Sequence, residues 1–118
     1  MRILLVDDDA DLREVLAELL TMEGHDVTTA ADGPSGLLRA LETRPQVAFI
    51  DLTLPGIDGA DVAQRIRGML GANVMLVALS GRADASPRGF DERLTKPSGA
   101  QDILRVLSRA GAQKRKAG

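Results

Sequence analysis

Three nearly unbroken apolar runs stand out along the chain, at residues 3–6, 47–50 and 74–79, and polar or turn-forming residues follow each of them. Such runs are typical of strands that are covered on both faces, as in a parallel sheet. Two more polar runs, residues 25–30 and 92–95, are predicted to be strands at the edges of the sheet. The pattern therefore predicts five strands.

The segments between these runs carry apolar residues at helical spacing. The clearest stripe comprises Leu12, Val15, Leu16, Leu19 and Leu20. The other stripes comprise Leu37, Leu38 and Leu41, then Val62, Ile66 and Met69, and then Ile103, Leu104, Val106 and Leu107. Strands that alternate with helices predict an α/β fold. We expect a flavodoxin-like, doubly wound five-stranded parallel sheet in the order 2-1-3-4-5, with helices on both faces.

Length and composition favour one folded domain. The chain has 118 residues, of which 44% are hydrophobic and 27% are charged, and this is enough to bury a core. Its net charge of −2 argues against a nucleic-acid partner. The absence of cysteine excludes disulfides and thiolate metal sites. Because the first apolar run is too short for a signal peptide or a membrane span, a cytoplasmic protein without a membrane partner is predicted.

Aspartates follow the two strands that flank the point where the strand order reverses. Asp7, Asp8 and Asp9 follow the first strand, and Asp51 ends the third. Ligands of such sheets bind beyond the carboxyl ends of the strands at this point. Neighbouring carboxylates repel one another unless a cation lies between them, and a site with only oxygen ligands favours Mg²⁺. The alternative, that Asp7, Asp8 and Asp9 only cap the next helix, accounts for Asp9 but not for Asp51.

Ser80 ends the fourth predicted strand, and Lys96 follows the fifth. A hydroxyl and an ammonium group beside Mg²⁺ would bind the oxygens of a phosphoryl group, and Asp51 would be a carboxylate nucleophile. Taken singly, a serine here is usually a turn residue and a lysine a solvated charge. The hypothesis depends on their shared position at the carboxyl ends of strands.

Four motifs make the chain resemble, over essentially its full length, the receiver domain of two-component response regulators, the CheY-like family. These motifs are Leu4-Leu5-Val6-Asp7-Asp8, the segment DLTLPGIDG at residues 51–59, Ala78-Leu79-Ser80-Gly81, and Leu94-Thr95-Lys96-Pro97. The resemblance implies a receiver domain over residues 1–111. Residues 112–118 are then expected to form a basic, disordered tail.

The resemblance also implies roles for individual residues. Asp51 would be the phosphoacceptor, Ser80 would bind a phosphoryl oxygen and shift on phosphorylation, and Lys96 would pair with the phosphoryl group and precede a cis proline bond. The implied Mg²⁺ ligands are Asp7, Asp8, Asp51 and the backbone carbonyl of Thr53. Thr53 and Arg82 lie next to the site and are expected to affect the lifetime of the phosphoryl group. A histidine kinase or a histidine phosphotransfer protein would donate the phosphate.

The chain departs from the family pattern in two places. Arg93 stands where the family usually carries an aromatic switch residue, three positions before the lysine. The segment at residues 82–91 is shorter than the family's fourth helix with its connections, and it contains a proline. We therefore expect this helix to be short or missing. The sheet face beside it would be thinly covered, and a downstream protein would dock there.

Two functions remain open after the resemblance is considered. One is a single-domain response regulator, not an enzyme, which signals or relays phosphate through protein contacts. The alternative is a pseudo-receiver scaffold whose partner binding does not depend on phosphorylation. A flavodoxin-like cofactor carrier fits less well, because the acidic first turn repels a flavin phosphate and there is no Trp or Tyr to stack on the ring. A hydrolase that acts on a free phosphomonoester is also possible from an aspartate nucleophile, but the sequence shows no cap domain to enclose the substrate.

Overall fold

Strands and helices alternate along the chain, as the apolar pattern predicts. The computed structural model describes residues 1–81, 89–95 and 102–109. Its strands are β1 (Arg2–Val6), β2 (Asp26–Ala30), β3 (Val47–Asp51), β4 (Met75–Ser80) and β5 (Glu92–Thr95). Its helices are α1 (Ala10–Met22), α2 (Gly33–Thr43), α3 (Gly59–Leu70) and a short last helix at residues 102–109, with a 3₁₀ turn at Gly71–Asn73.

The strands form one parallel sheet in the order β2-β1-β3-β4-β5. The predicted flavodoxin-like fold class is therefore confirmed. In the register of the sheet Val6 lies beside Ile50, and Asp51 lies beside Leu79. Because all strands run the same way, the carboxyl ends of β1, β3, β4 and β5 lie at one edge of the sheet.

Each face of the sheet has its own core. On β1, Ile3 and Leu5 contribute to a cluster with residues of α1 and the last helix, such as Leu16 and Ile103. Leu4 and Val6 alternate with them and join a second cluster with residues of α2 and α3. This alternation is the two-residue period of a strand that is buried on both sides. The sheet is thus held rigidly between two helical layers.

The helices bury narrower faces than their apolar stripes predict. Val15 on α1 is 54% exposed and Leu38 on α2 is 55% exposed, whereas Leu16 and Leu20 are buried. Met69 on α3 also remains 40% exposed, and the buried residues there are Val62, Ala63, Ile66 and Leu70. A helix presents only one side to a flat sheet, so the outer members of a wide stripe stay in contact with solvent.

Some expectations fall on parts of the chain that the structure does not describe. Residues 82–88, which cover most of the predicted short helix, lie outside the described residues, as do Lys96 and its bond to Pro97. The boundary at residue 111 and the basic tail lie outside them as well, and they stay predictions. Within the described parts, no helix combines the length and the hydropathy that crossing a bilayer requires.

Candidate metal centre

Three carboxylates meet at the carboxyl edge of the sheet. Asp7 directly follows β1 and Asp51 ends β3, and the two strands are neighbours. Asp7, Asp8 and Asp51 each offer one oxygen such that all three oxygens lie within 4.8 Å of one another. Asp7 is 0% exposed and Asp51 is 2% exposed, whereas Asp8 is open to solvent. The predicted convergence of these three residues is confirmed.

The two buried carboxylates are each oriented by the backbone two residues further on. The amide of Asp9 donates a hydrogen bond of 2.9 Å to Oδ1 of Asp7. The amide of Thr53 donates one of 3.0 Å to Oδ1 of Asp51, and the Thr53 hydroxyl donates a second, of 2.9 Å, to the same oxygen. Aspartate readily accepts such local bonds in turns. Both side chains are therefore held in place by the chain's own donors.

The start of α1 fixes the tip of β1. Asp9 is the N-cap of α1, and its Oδ1 accepts a hydrogen bond of 3.1 Å from the amide of Leu12. The capping interpretation is thus correct for Asp9. Nη1 of Arg13 donates a bond of 2.6 Å to the carbonyl oxygen of Asp7. Arg13 could not be predicted from the sequence, because its role depends on a side-chain conformation that reaches back over the first turns of α1.

A glycine allows α3 to begin directly against the end of β3. Asp58 caps α3 through a bond of 2.9 Å from the amide of Ala60, and Gly59 is the first helical residue. A Cβ at Gly59 would overlap the carbonyl oxygen of Asp51 and would lie 2.8 Å from the Cα of Leu52. The position of the Asp51 backbone therefore depends on the absence of a side chain at residue 59.

Of the other predicted site residues, Ser80 lies at the same edge. Ser80 ends β4 and is 4% exposed, and in the register of the sheet it lies beside Thr95. Lys96 comes directly after Thr95 but lies outside the described residues. Arg93, at the position of the family's aromatic residue, lies on β5 beside Ala78 and is exposed. The structure thus brings three of the predicted residues together and puts Ser80 on their edge of the sheet.

The carboxylate cluster has the dimensions and the chemistry of a magnesium site. Mg²⁺ binds oxygen ligands at about 2.1 Å, so two ligands on opposite sides of the ion are about 4.2 Å apart. The three oxygens lie within 4.8 Å of one another, so they are near enough for side-chain movement to bring them onto one ion. Two of the three carboxylates are also buried, where repulsion between like charges is screened least. The donor set therefore fits a hard divalent cation.

Residues 3–108 match the response regulator receiver domain. The chain belongs to this family. Among curated relatives, the transcriptional regulatory protein KdpE of Mycobacterium tuberculosis is 37% identical over 114 residues, and the DNA-binding response regulator MtrA of Mycobacterium leprae is 38% identical over 113 residues. Each alignment covers 92% of this chain and 50% of the relative. This receiver domain thus spans about half the length of the curated relatives it matches.

Solved receiver domains have the same fold. The receiver domain of NtrX from Brucella abortus is 31% identical, with a TM-score of 0.82 over 92% of this chain and 96% of the other. The response regulator TrrA of Thermotoga maritima, solved in complex with Mg²⁺ and BeF, is 28% identical, with a TM-score of 0.82 over 92% and 97%. A receiver domain from Methanospirillum hungatei reaches 0.91 at 24% identity over 99% and 98%, which bears on the fold alone.

Membership of this family indicates the general role of the aspartate cluster. Receiver domains of two-component systems are signalling domains that bind Mg²⁺ at an acidic site and interact with histidine kinases or phosphotransfer proteins. The cluster of Asp7, Asp8 and Asp51 lies where such a site is expected. The name of MtrA describes that relative as DNA-binding. Our expectation that this chain has no nucleic-acid partner stays a prediction.

Proposed function

We propose that this receiver domain accepts a phosphoryl group on Asp51 in a Mg²⁺-dependent reaction and signals, or relays the phosphate, through protein contacts. The observation that supports this most strongly is the convergence of three carboxylate oxygens within 4.8 Å at the end of β1 and β3. A cluster of this kind is destabilising by itself and becomes favourable when a cation is bound.

Asp7, Asp8, Asp51 and the backbone carbonyl of Thr53 would hold the ion. Bound Mg²⁺ would supply positive charge that offsets the negative charge on the phosphoryl oxygens. Asp51 is buried and is already oriented by the bond from the amide of Thr53, so little reorganisation precedes its attack on phosphorus. This orientation is the chain's own contribution to a transfer that depends mainly on positioning.

Ser80 and Lys96 would hold the incoming group. The buried hydroxyl of Ser80 at the end of β4 is suited to donate to a phosphoryl oxygen. Lys96 comes directly after β5 in the sequence and would pair with the negative charge of the group. Because Ser80 lies beside Thr95 in the sheet, a movement at Ser80 on phosphorylation would be transmitted to β5.

The phosphoryl donor would be a histidine kinase or a histidine phosphotransfer protein, and an unidentified downstream protein would read the state of the domain. We place the downstream contact beside β5, next to residues 82–88. The outer face of β5 exposes Arg93 and Thr95 there, whereas Glu92 and Leu94 are partly buried. A partner at this position would therefore meet the exposed side chains of Arg93 and Thr95.

A second function is favoured by Arg93 alone. An exposed arginine on β5 cannot act as an aromatic ring that turns inward when the hydroxyl residue moves. A pseudo-receiver scaffold would bind its partner equally in both states. Comparing the affinity of the phosphorylated and the unphosphorylated protein for a captured partner distinguishes the two functions, since only a phosphorylation-dependent signal requires the affinities to differ.

The phosphoacceptor proposal is tested by intact-mass measurement after incubation with acetyl phosphate and Mg²⁺. We expect the wild type to gain the mass of one phosphoryl group, and we expect no gain in Asp51→Asn or when EDTA replaces Mg²⁺. Asp58→Asn is the matched control, because an asparagine still caps α3 and the same type of carboxyl is removed from the same loop. A wild type without mass gain, or a gain in Asp51→Asn, would contradict the proposal.

A further inference from the structure

Thr53 gives two donors to one oxygen of Asp51. Its amide and its hydroxyl both bind Oδ1, at 3.0 Å and 2.9 Å. We propose that the hydroxyl of Thr53 favours the unphosphorylated state of Asp51, so that it slows the uptake of a phosphoryl group and speeds its loss. This inference rests on the proposed function of Asp51 as the phosphoacceptor. It gives a direction to the effect of Thr53, which the sequence leaves open.

Uptake of the phosphoryl group reduces the charge that the hydroxyl stabilises. With acetyl phosphate as donor, a bond forms between an Asp51 oxygen and phosphorus, and the bond from phosphorus to the acetate oxygen breaks. Acetate leaves with the electron pair, and the carboxylate becomes a neutral acyl group. A hydrogen bond to a carboxylate is stronger than one to a neutral carbonyl. The Thr53 hydroxyl therefore stabilises the reactant more than the transition state.

Loss of the phosphoryl group restores that charge. Water attacks phosphorus, its protons pass to solvent and phosphate, and the bond between Asp51 and phosphorus breaks with its electron pair returning to the carboxylate. The bond from the Thr53 hydroxyl strengthens as the negative charge returns, so it stabilises this transition state relative to the acyl phosphate. The same hydroxyl thus acts in opposite directions on the two rates.

The side chain of Thr53 is available for this role because the fold does not depend on it. Thr53 is exposed and lies in the turn after β3, outside the two core clusters. The amide of Thr53 orients Asp51 whatever the side chain is, so the hydroxyl adds a second, separable bond. Residue 53 is a positioning residue that sets how long the phosphoryl group persists.

The test compares Thr53→Val, which keeps the branched shape and lacks the hydroxyl, with Thr53→Ser, which keeps the hydroxyl. Phosphorylation by acetyl phosphate and loss after donor removal are followed by intact mass at saturating Mg²⁺, so that a change in ion affinity does not enter. We expect Thr53→Val to load about three- to tenfold faster and to lose the group slower by a similar factor. Thr53→Ser should stay within about twofold of wild type in both rates.

The possible outcomes separate the two proposals. Equal rates in Thr53→Val and wild type, or slower loading in Thr53→Val, would overturn the role of the hydroxyl while leaving Asp51 as the phosphoacceptor. A Thr53→Ser protein that behaves like Thr53→Val would overturn it as well, because serine keeps the hydroxyl and the changed rates could not then come from its loss. A wild type that gains no mass would overturn the proposed function, and this inference with it.

Discussion

Asp7 and Asp51 are carboxylates in positions that proteins usually fill with apolar side chains. Burying a charge is unfavourable unless donors or a cation compensate for it. Here Oδ1 of Asp7 and Oδ1 of Asp51 each accept a hydrogen bond from a backbone amide. The guanidinium of Arg13 also donates a hydrogen bond to the carbonyl of Asp7. These contacts hold the carboxylates together against their mutual repulsion, which a bound cation would relieve.

Replacing Asp8 by asparagine should change stability in a Mg²⁺-dependent way. Without Mg²⁺ the variant should unfold at a higher urea concentration than wild type, because one repelling charge is gone, an effect on the order of 1 kcal/mol. Addition of Mg²⁺ at ten times its dissociation constant should stabilise wild type by about 1.4 kcal/mol and the variant by less. Urea denaturation with and without Mg²⁺ measures both effects.

The control for Asp8→Asn is Glu18→Gln, which removes the same charge from an exposed position further along α1. Glu18→Gln should retain the full stabilisation by Mg²⁺. If Asp8→Asn were stabilised by Mg²⁺ as much as wild type, Asp8 would not be a ligand.

The sequence predicted which aspartates form the cluster, but it did not predict the hydrogen bonds that hold them in place. Asp7, Asp8 and Asp51 could be found because strand ends in a parallel sheet share one edge. The bonds from Arg13 and from the Thr53 hydroxyl depend on rotamers that are selected by the finished structure. A sequence therefore indicates which residues meet more readily than which atoms bind.

At the scale of secondary structure, the site depends on how closely α3 approaches β3. The helix starts at Gly59, one residue after its cap, and its first turn lies against the backbone of Asp51 and Leu52. Further along α3, Arg67 donates bonds to the carbonyls of Gly71 and Val74 and pairs with Asp91. Contacts at both ends thus fix the helix, and the helix in turn fixes the end of β3 that carries Asp51.

Substituting alanine for Gly59 should destabilise the protein, because its Cβ would overlap the backbone of Asp51 and force α3 away from β3. We expect a loss of about 1–3 kcal/mol in the free energy of unfolding, measured by urea denaturation. Gly68→Ala is the matched control in the same helix. Nothing lies within 4 Å of a Cβ at Gly68, so this change should be neutral or should stabilise by up to about 1 kcal/mol. Equal effects at both positions would contradict this account of α3.

The apolar pattern predicted the strands better than the helix faces. β1 and β3 lie within a residue of their predicted ends, because runs buried on both sides leave no choice of face. On α1 the stripe was wide enough to be packed in more than one rotation, and the sheet buries Leu16 and Leu20 while Val15 stays exposed. The rotation of a helix is decided by tertiary packing, which a single element does not encode.

On the scale of the whole molecule, the parallel sheet separates two ends with different chemistry. The carboxyl edge holds Asp7, Asp51 and Ser80, all buried. The opposite edge holds His25 and Gln46, which bind the chain near the start of β1. Cores on both faces of the sheet join the two edges into one rigid unit. A ligand at the carboxyl edge should therefore affect the ends of β1 and β3 together and leave the opposite edge unchanged.

Titration of the protein with Mg²⁺, followed through its backbone amide NMR signals, tests this account most directly. The signals of residues 7–9 and 51–53 should shift together, with one dissociation constant and one ion per chain, while those of His25 and Gln46 stay in place. Asp51→Asn should weaken or abolish the shifts. Signals at the ends of β1 and β3 that do not move, or that move at unrelated Mg²⁺ concentrations, would contradict the claim that these strand ends bind a single ion.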